Sequence, residues 1–156
     1  MLILRFVLPA VTLLLIVVGL LWLDQRTGWH GVRIVWLGAP VAIAGQLLMV
    51  WCIGMLLLKG RGTPHPFVAK TKHLVHSGPY AIVRNPMVWG AGISLVGYCL
   101  WFGLAGLWLA LICLLLFVHW FVPLYEEPDM ERRFGEEYRD YCRRVPRWFP
   151  RQRQQP

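Results

Sequence analysis

The sequence predicts an all-α integral membrane protein with four transmembrane helices. Of its 156 residues, 57% are hydrophobic and nine are Trp, and the mean hydropathy is +0.51. These values are too high for a soluble domain of this size. The apolar residues also lie in long blocks with almost no charge, and about 20 such residues span a bilayer. A single membrane domain, residues 1–156, accounts for the chain.

Three apolar blocks predict the four helices. The first helix covers residues 2–23, a block with a single charge. No small-residue cleavage pattern follows it, which favours a transmembrane helix over a signal peptide. The second helix covers residues 34–58, which carry no charge. The third block is long enough for two helices, 87–101 and 104–124, joined by a tight turn.

The positive charges predict that both termini are cytoplasmic. The loop 59–86 contains five Lys or Arg residues and no acid, and eight arginines follow Glu127. The excess of Lys and Arg in cytoplasmic segments places 59–86 and 126–150 on that side. A net charge of +8 also occurs in proteins that bind nucleic acid. Here the arginines flank membrane spans, so membrane lipids and not nucleic acid are the expected partners.

No metal site or disulfide is predicted, because the four cysteines lie at no metal-ligand spacing and three fall inside predicted helices. The segment 90–106 is rich in small residues. Such residues permit close helix packing within one chain or between two, which leaves the oligomeric state open.

The acidic residues mark a candidate site. Between Asp24 and Glu126 there is no Asp or Glu, and then Glu126 and Glu127 come together at the end of the last apolar block. Carboxylates so close to lipid are costly and indicate function. Adjacent side chains on a helix point in different directions, so we expect one glutamate in the site and the other solvated. Pro123, just before the pair, removes the donor to the His119 carbonyl and predicts a kink.

The loop 60–90 supplies the cationic counterpart. Pro86 suits the first turn of the third helix, and Asn85 suits its cap. Free N–H groups at that helix start would favour a negative group. Arg84, next to them, either reaches phosphate headgroups or joins the site.

Two motifs are separated by a hydrophobic helix pair: the first is LVHSGPYAIVRNPMVWG, and the second is EEPDMERRFGEEYRDYCRRVPRWFP. In these motifs and their order, the chain resembles the isoprenylcysteine carboxyl methyltransferase family. Relatives of that family include the membrane phospholipid N-methyltransferases. The resemblance covers about residues 59–150. It implies S-adenosylmethionine as the methyl donor, and a lipophilic small molecule or lipid as the acceptor, reached through the membrane.

The resemblance, together with the charge of the loop, assigns donor binding to His65, Lys72, His73, Leu74, Val75, Tyr80, Arg84, Asn85, Pro86, Met87, Val88 and Glu126. Glu126 suits the ammonium of the donor, the apolar side chains suit its adenine, and Tyr80 suits the adenosine or the sulfonium. An amine or hydroxyl acceptor must also lose a proton. His119 and Glu127 are the candidate catalytic bases, with His73 as a further one.

Two departures from the family pattern bear on the function. The family often has His-Pro-x-Tyr where this chain has residues 85–88 as Asn-Pro-Met-Val, and a family arginine assigned to the acceptor falls on Val122. The second departure favours an amine, thiol or hydroxyl over a carboxylate acceptor. The first keeps open a non-catalytic membrane scaffold or assembly factor of the same fold. A membrane reductase with a nicotinamide cofactor is a third class, since sterol-reductase-like proteins share a similar C-terminal region.

Overall fold

The described part of the chain is helical. A computed structural model describes residues 18–19, 22–26, 28, 31–61 and 71–150, and these ranges contain no strand. After a helical segment at residues 22–26, the elements in chain order are α1 Val35–Leu58, a 3₁₀ turn Gly78–Ala81, α2 Pro86–Phe102, α3 Ala105–Phe121, a π-helical turn Val122–Glu126, α4 Glu127–Phe134 and α5 Glu136–Arg144.

The predicted helices 34–58, 87–101 and 104–124 correspond to α1, α2 and α3. The all-helical prediction is therefore confirmed for the described residues, whereas the predicted helix 2–23 lies almost wholly outside them. By length and hydropathy, α1 and the continuous helical stretch Ala105–Phe134 can each cross a membrane. The 17 residues of α2 fall short of the roughly 20 that a span needs. Four spans and cytoplasmic termini stay predictions.

Large apolar side chains cover the outside of the long helices. Trp36 is 79% exposed and Leu58 is 82% exposed, at opposite ends of α1. A helix that is apolar on every side suits a lipid environment, where its backbone groups are satisfied within the helix. The exposed surface of these helices therefore agrees with a membrane location.

The chain divides into two compact units: residues 1–45 with 92–120, and residues 46–91 with 121–156. In the first unit, α1 and α2 approach closely at two glycines. A Cβ atom at Gly38 would lie 2.6 Å from the backbone nitrogen of Trp101, and one at Gly97 would overlap the backbone of Ala42. Small residues allow helix backbones to approach in this way.

The turn between α2 and α3 is held by the segment before α1. Gly103 adopts a φ of +66°, which suits glycine, and its carbonyl accepts a 2.6 Å hydrogen bond from the Gly31 N–H. The buried Asp24 carboxylate accepts a 2.6 Å hydrogen bond from the Gly106 N–H in the first turn of α3. A carboxylate at that position satisfies a free donor and complements the positive end of the helix.

In the second unit, α4 and α5 form a short amphipathic pair. Gly135, with a φ of +54°, separates the two helices. The side chains that recur on one face of the pair pack around Leu74 from the loop, together with Val145. These side chains form a helical stripe, spaced four, four and three residues apart: Met130, Phe134, Tyr138 and Tyr141. The stripe therefore packs against the loop.

Candidate functional site

Polar contacts fix the loop that precedes α2. The Arg133 guanidinium in α4 donates to the Thr71 carbonyl, and also to the Thr71 hydroxyl at 3.3 Å. Lys59 Nζ donates to the Ser77 hydroxyl at 2.9 Å. The described part of the loop, residues 71–85, is therefore tied at its start to the C-terminal helices and near its middle to the end of α1.

Tyr80 lies in the 3₁₀ turn and is 8% exposed, packed with Cys52 and Val75. The Tyr141 hydroxyl in α5 donates a 2.7 Å hydrogen bond to the Tyr80 carbonyl. Burial raises the pKa of the Tyr80 hydroxyl well above its usual range, with further contributions from Cys52 and the Glu126 carboxylate. The hydroxyl is therefore protonated at neutral pH, and Glu126 lies within electrostatic range of Tyr80.

The acidic pair follows an interrupted helix. Pro123 has no N–H, so the α-helical hydrogen bond to the carbonyl four residues earlier is missing. The helix widens instead, and the Glu127 N–H donates to the Val122 carbonyl, five residues back. The expected kink thus takes the form of a π turn, a feature that often marks functional sites in helices.

Glu127 is the centre of a salt-bridge cluster. One guanidinium edge of Arg147 donates to both carboxylate oxygens, Nε to Oε1 at 2.7 Å and Nη2 to Oε2 at 2.5 Å. Arg84 Nη1 lies 2.9 Å from Oε1 and also donates to the Cys142 sulfur at 2.7 Å. The side chains of Glu127 and Arg84 are 16% and 13% exposed, and that of Arg147 is 34% exposed. Two positive charges thus face one negative charge in a largely buried cluster.

Glu126 has the opposite environment. Its side chain is exposed, and no hydrogen bond or salt bridge joins it to any residue within the described ranges. The expectation that one glutamate is solvated while the other enters a site was wrong for Glu127, which two arginines hold inside the protein. Glu126 is left as the carboxylate available to a ligand.

The Arg84–Glu127 salt bridge also brings the start of α2 to the acidic pair. Pro86 is the first residue of α2 and is buried, as expected for its position in the helix. Beside it, Asn85, Met87 and Val88 are half-buried. Four residues of the predicted donor site therefore lie in the segment that directly follows Arg84.

The run 72–75 divides into exposed and buried halves. Lys72 and His73 have exposed side chains, and their N–H groups share the Gly60 carbonyl as acceptor, at 2.7 and 3.3 Å. Leu74 is buried against α5, and Val75 is buried in a second cluster with Cys52 and Tyr80. Packing within the protein explains the burial of Leu74 and Val75, and their contact with adenine stays a prediction.

Of the predicted histidines, His73 and His119 lie within the described residues. His119 is exposed on α3, with its ring edge-on to Trp120 at a centroid distance of 5.9 Å. Seven-residue spacing places His119 and Glu126 on one face only in a regular α-helix, and the α-helix ends at Phe121. His65 lies outside the described residues.

Three residues that hold the candidate site were not predicted from the sequence: Arg147 and Cys142 in the salt-bridge cluster, and Tyr141 as the partner of Tyr80. An acidic residue beside lipid requires a cation, which is a signal for an arginine partner. However, eight arginines follow Glu127, and local spacing does not distinguish them.

The described residues contain no group of His, Cys, Asp or Glu that could hold a metal ion. A cleft of about 340 Å³ lies in the second unit, and none of the predicted site residues lines it. Its lining residues are His76, Ala81, Ile82, Tyr141, Arg144, Val145, Pro146 and Pro150.

Comparison with known proteins identifies the family. A family model described as "Phospholipid methyltransferase" matches residues 33–137, about two thirds of the chain. A protein of Haemophilus influenzae, described as "Uncharacterized protein", is 39% identical over 57 residues, which cover 36% of this chain and 90% of that protein. No solved structure matches the chain.

Proposed function

The chain belongs to the phospholipid methyltransferase family of membrane methyltransferases, and from that premise we propose that it moves a methyl group from S-adenosylmethionine to a lipophilic acceptor. The family relation indicates methyltransferase activity in a membrane protein. The donor, the acceptor and the residues that bind them are proposed from the site.

One observation carries the choice of donor: Glu126 is an exposed carboxylate without a partner among the described residues, while its neighbour Glu127 is neutralised. S-adenosylmethionine carries an ammonium, a carboxylate and a sulfonium. Glu126 would pair with the ammonium. Tyr80 lies within electrostatic range of Glu126, and Met87 and Val88 are half-buried apolar side chains in the segment joined to the acidic pair. The residues present thus fit this donor.

The reaction asks little acid–base chemistry of the protein, because the donor supplies an activated methyl group when bound. The side chains bind the two substrates, align them for in-line displacement and exclude water. Glu127 is poorly suited to be a base, since both of its oxygens already accept from guanidinium groups. His73 and His119, both exposed, stay candidate bases for an acceptor that must lose a proton.

The acceptor is proposed to be a lipid or lipophilic molecule without a carboxylate. Val122, at the position of the family's acceptor-binding arginine, is 1% exposed, so the chain offers a buried apolar residue there. A polar water-soluble acceptor would leave its polar atoms unpaired against the apolar helices. We further propose that both termini are cytoplasmic, as the distribution of positive charges predicts.

Calorimetry on detergent-purified protein tests the donor. S-adenosylhomocysteine should bind to the wild type, and Glu126→Gln should weaken binding by about 100-fold. The bound donor would exclude water from the ion pair with Glu126, and breaking one side of such a pair costs a few kcal/mol. Glu127→Gln is the matched control and should lose much less. Equal and small losses in both variants would show that the donor lies elsewhere. Binding of NADPH without S-adenosylhomocysteine would favour a reductase.

Methyl-transfer assays in nanodiscs test the acceptor. Lipophilic amines, thiols, phenols and carboxylates are compared at equal membrane concentration, with radiolabelled S-adenosylmethionine. We expect transfer to one of the first three classes. A clear preference for a prenylcysteine carboxylate would contradict the inference from Val122, and donor binding without transfer to any acceptor would favour a non-catalytic scaffold.

A further inference from the structure

We propose that Glu127 is a positioning residue that sequesters Arg84, so that the adjacent Glu126 stays free for a cationic group of a ligand. The inference rests on the proposed function, in which that cationic group is the ammonium of the methyl donor. It assigns the second glutamate of the pair a role in donor binding without any contact to the donor.

The geometry shows the sequestration directly. Arg84 Nη1 lies 2.9 Å from the Glu127 carboxylate, and the Arg84 side chain is 13% exposed. Its Nε is buried and has no hydrogen-bond partner within the described residues. Glu127 and the Cys142 sulfur are therefore the polar groups that hold this guanidinium in place. The sequence assigns Arg84 to donor binding, whereas in this proposal its guanidinium is engaged within the protein and makes no contact with the donor.

Removing the Glu127 charge would leave Arg84 without a carboxylate partner. A buried charge without a counter-charge is strongly unfavourable, so the guanidinium must find another acceptor. Glu126 directly precedes Glu127 in the chain, so its carboxylate is the neighbouring one to which the long Arg84 side chain would turn. Glu126 would then be occupied by an internal cation, and the donor ammonium would have to displace it.

Arg147 differs from Arg84 although it binds the same carboxylate. Its side chain is 34% exposed, against 13% for Arg84. A guanidinium with that exposure can turn to solvent when its partner is lost, where hydration and salt screening replace the ion pair. Arg84 is therefore the expected competitor for Glu126, and Arg147 is the matched control.

The test compares S-adenosylhomocysteine affinity in the wild type, E127Q, E127Q/R84Q and E127Q/R147Q. An internal ion pair that occupies Glu126 for about nine-tenths of the time lowers the apparent affinity about tenfold. We expect that loss in E127Q, its recovery to within about threefold of wild type in E127Q/R84Q, and no recovery in E127Q/R147Q. Because R84Q also removes a buried charge that E127Q leaves unpaired, it would rescue a folding defect as well. The unfolding midpoint and the fraction of protein that binds are therefore measured for every variant, and the proposal requires the tenfold loss and its recovery in the affinity of the folded molecules.

E127D is the second variant, since it keeps the charge and serves if E127Q does not fold. Its affinity should stay within about threefold of wild type, because sequestration depends on charge. A double variant E127Q/R84Q that binds no better than E127Q, or a tenfold loss in E127D that R84Q does not repair, overturns the proposal. Failure of the wild type to bind S-adenosylhomocysteine, or full binding in E126Q, instead overturns the proposed function.

Discussion

The hydrogen bond from the Tyr141 hydroxyl to the Tyr80 carbonyl is the most direct link between α5 and the turn that carries Tyr80. Tyr141→Phe removes that bond and little else, because the ring keeps its place in a cluster where Tyr141 is 4% exposed. The Tyr80 carbonyl would remain buried without its donor. Leaving one buried acceptor unsatisfied costs about 1–3 kcal/mol.

Chemical or thermal unfolding in a single detergent, followed by circular dichroism, measures this loss. Tyr138→Phe is the matched control, because Tyr138 lies in the same cluster at 6% exposure and its hydroxyl lies near the Cys142 sulfur. Sulfur is a weak acceptor, so the free energy of unfolding should fall by less than about 1 kcal/mol there. Donor affinity should fall more in Tyr141→Phe, since its bond holds the backbone of Tyr80.

Equal losses of stability in the two variants would refute this reasoning, since they would show that packing and not the hydrogen bond anchors the turn. A loss of stability in Tyr141→Phe without any loss of donor affinity would separate the turn from the donor site.

Three further predictions concern stability. Gly97→Ala should destabilise the protein by about 1–3 kcal/mol, because the added Cβ would overlap with the α1 backbone. Gly92→Ala is the control: the space around its Cβ is open, so the substitution should be neutral or stabilising in the same unfolding assay. Asp24→Ala should cost about 0.5–2 kcal/mol through loss of the bond to the first turn of α3, and Asp24→Asn should retain most of that stability. Burial raises the pKa of three tyrosine hydroxyls above their ordinary value of 10.0: Tyr80, Tyr138 and Tyr141. The folded state therefore binds these protons more tightly than the unfolded state does, so the free energy of unfolding should be full below about pH 10 and fall above it. Tyrosinate absorbance should then appear together with unfolding.

The helices could be predicted from the sequence because each depends on local composition. Uncharged apolar blocks define α1 to α3. Gly103 and Gly135 lie at breaks between helices where the backbone has a positive φ, which glycine adopts without steric cost. Pro123 likewise predicts an interrupted helix, since the missing N–H is a property of one residue. Whether the missing hydrogen bond leads to a kink or to a π turn depends on the surrounding packing, and the local sequence does not determine that packing.

The assignment of the two glutamates could not be predicted, because it depends on residues far apart in the chain. Helix geometry shows that Glu126 and Glu127 point in different directions and nothing more. The structure distinguishes them through Arg84, 43 positions before Glu127, and Arg147, 20 positions after it, which both bind Glu127. Glu127 is thus a structural anion held by two arginines, and Glu126 is the carboxylate available to a ligand. Since an ammonium can be bound only by a carboxylate that is not already neutralised, the two arginines decide, without touching the ligand, which glutamate can serve the donor.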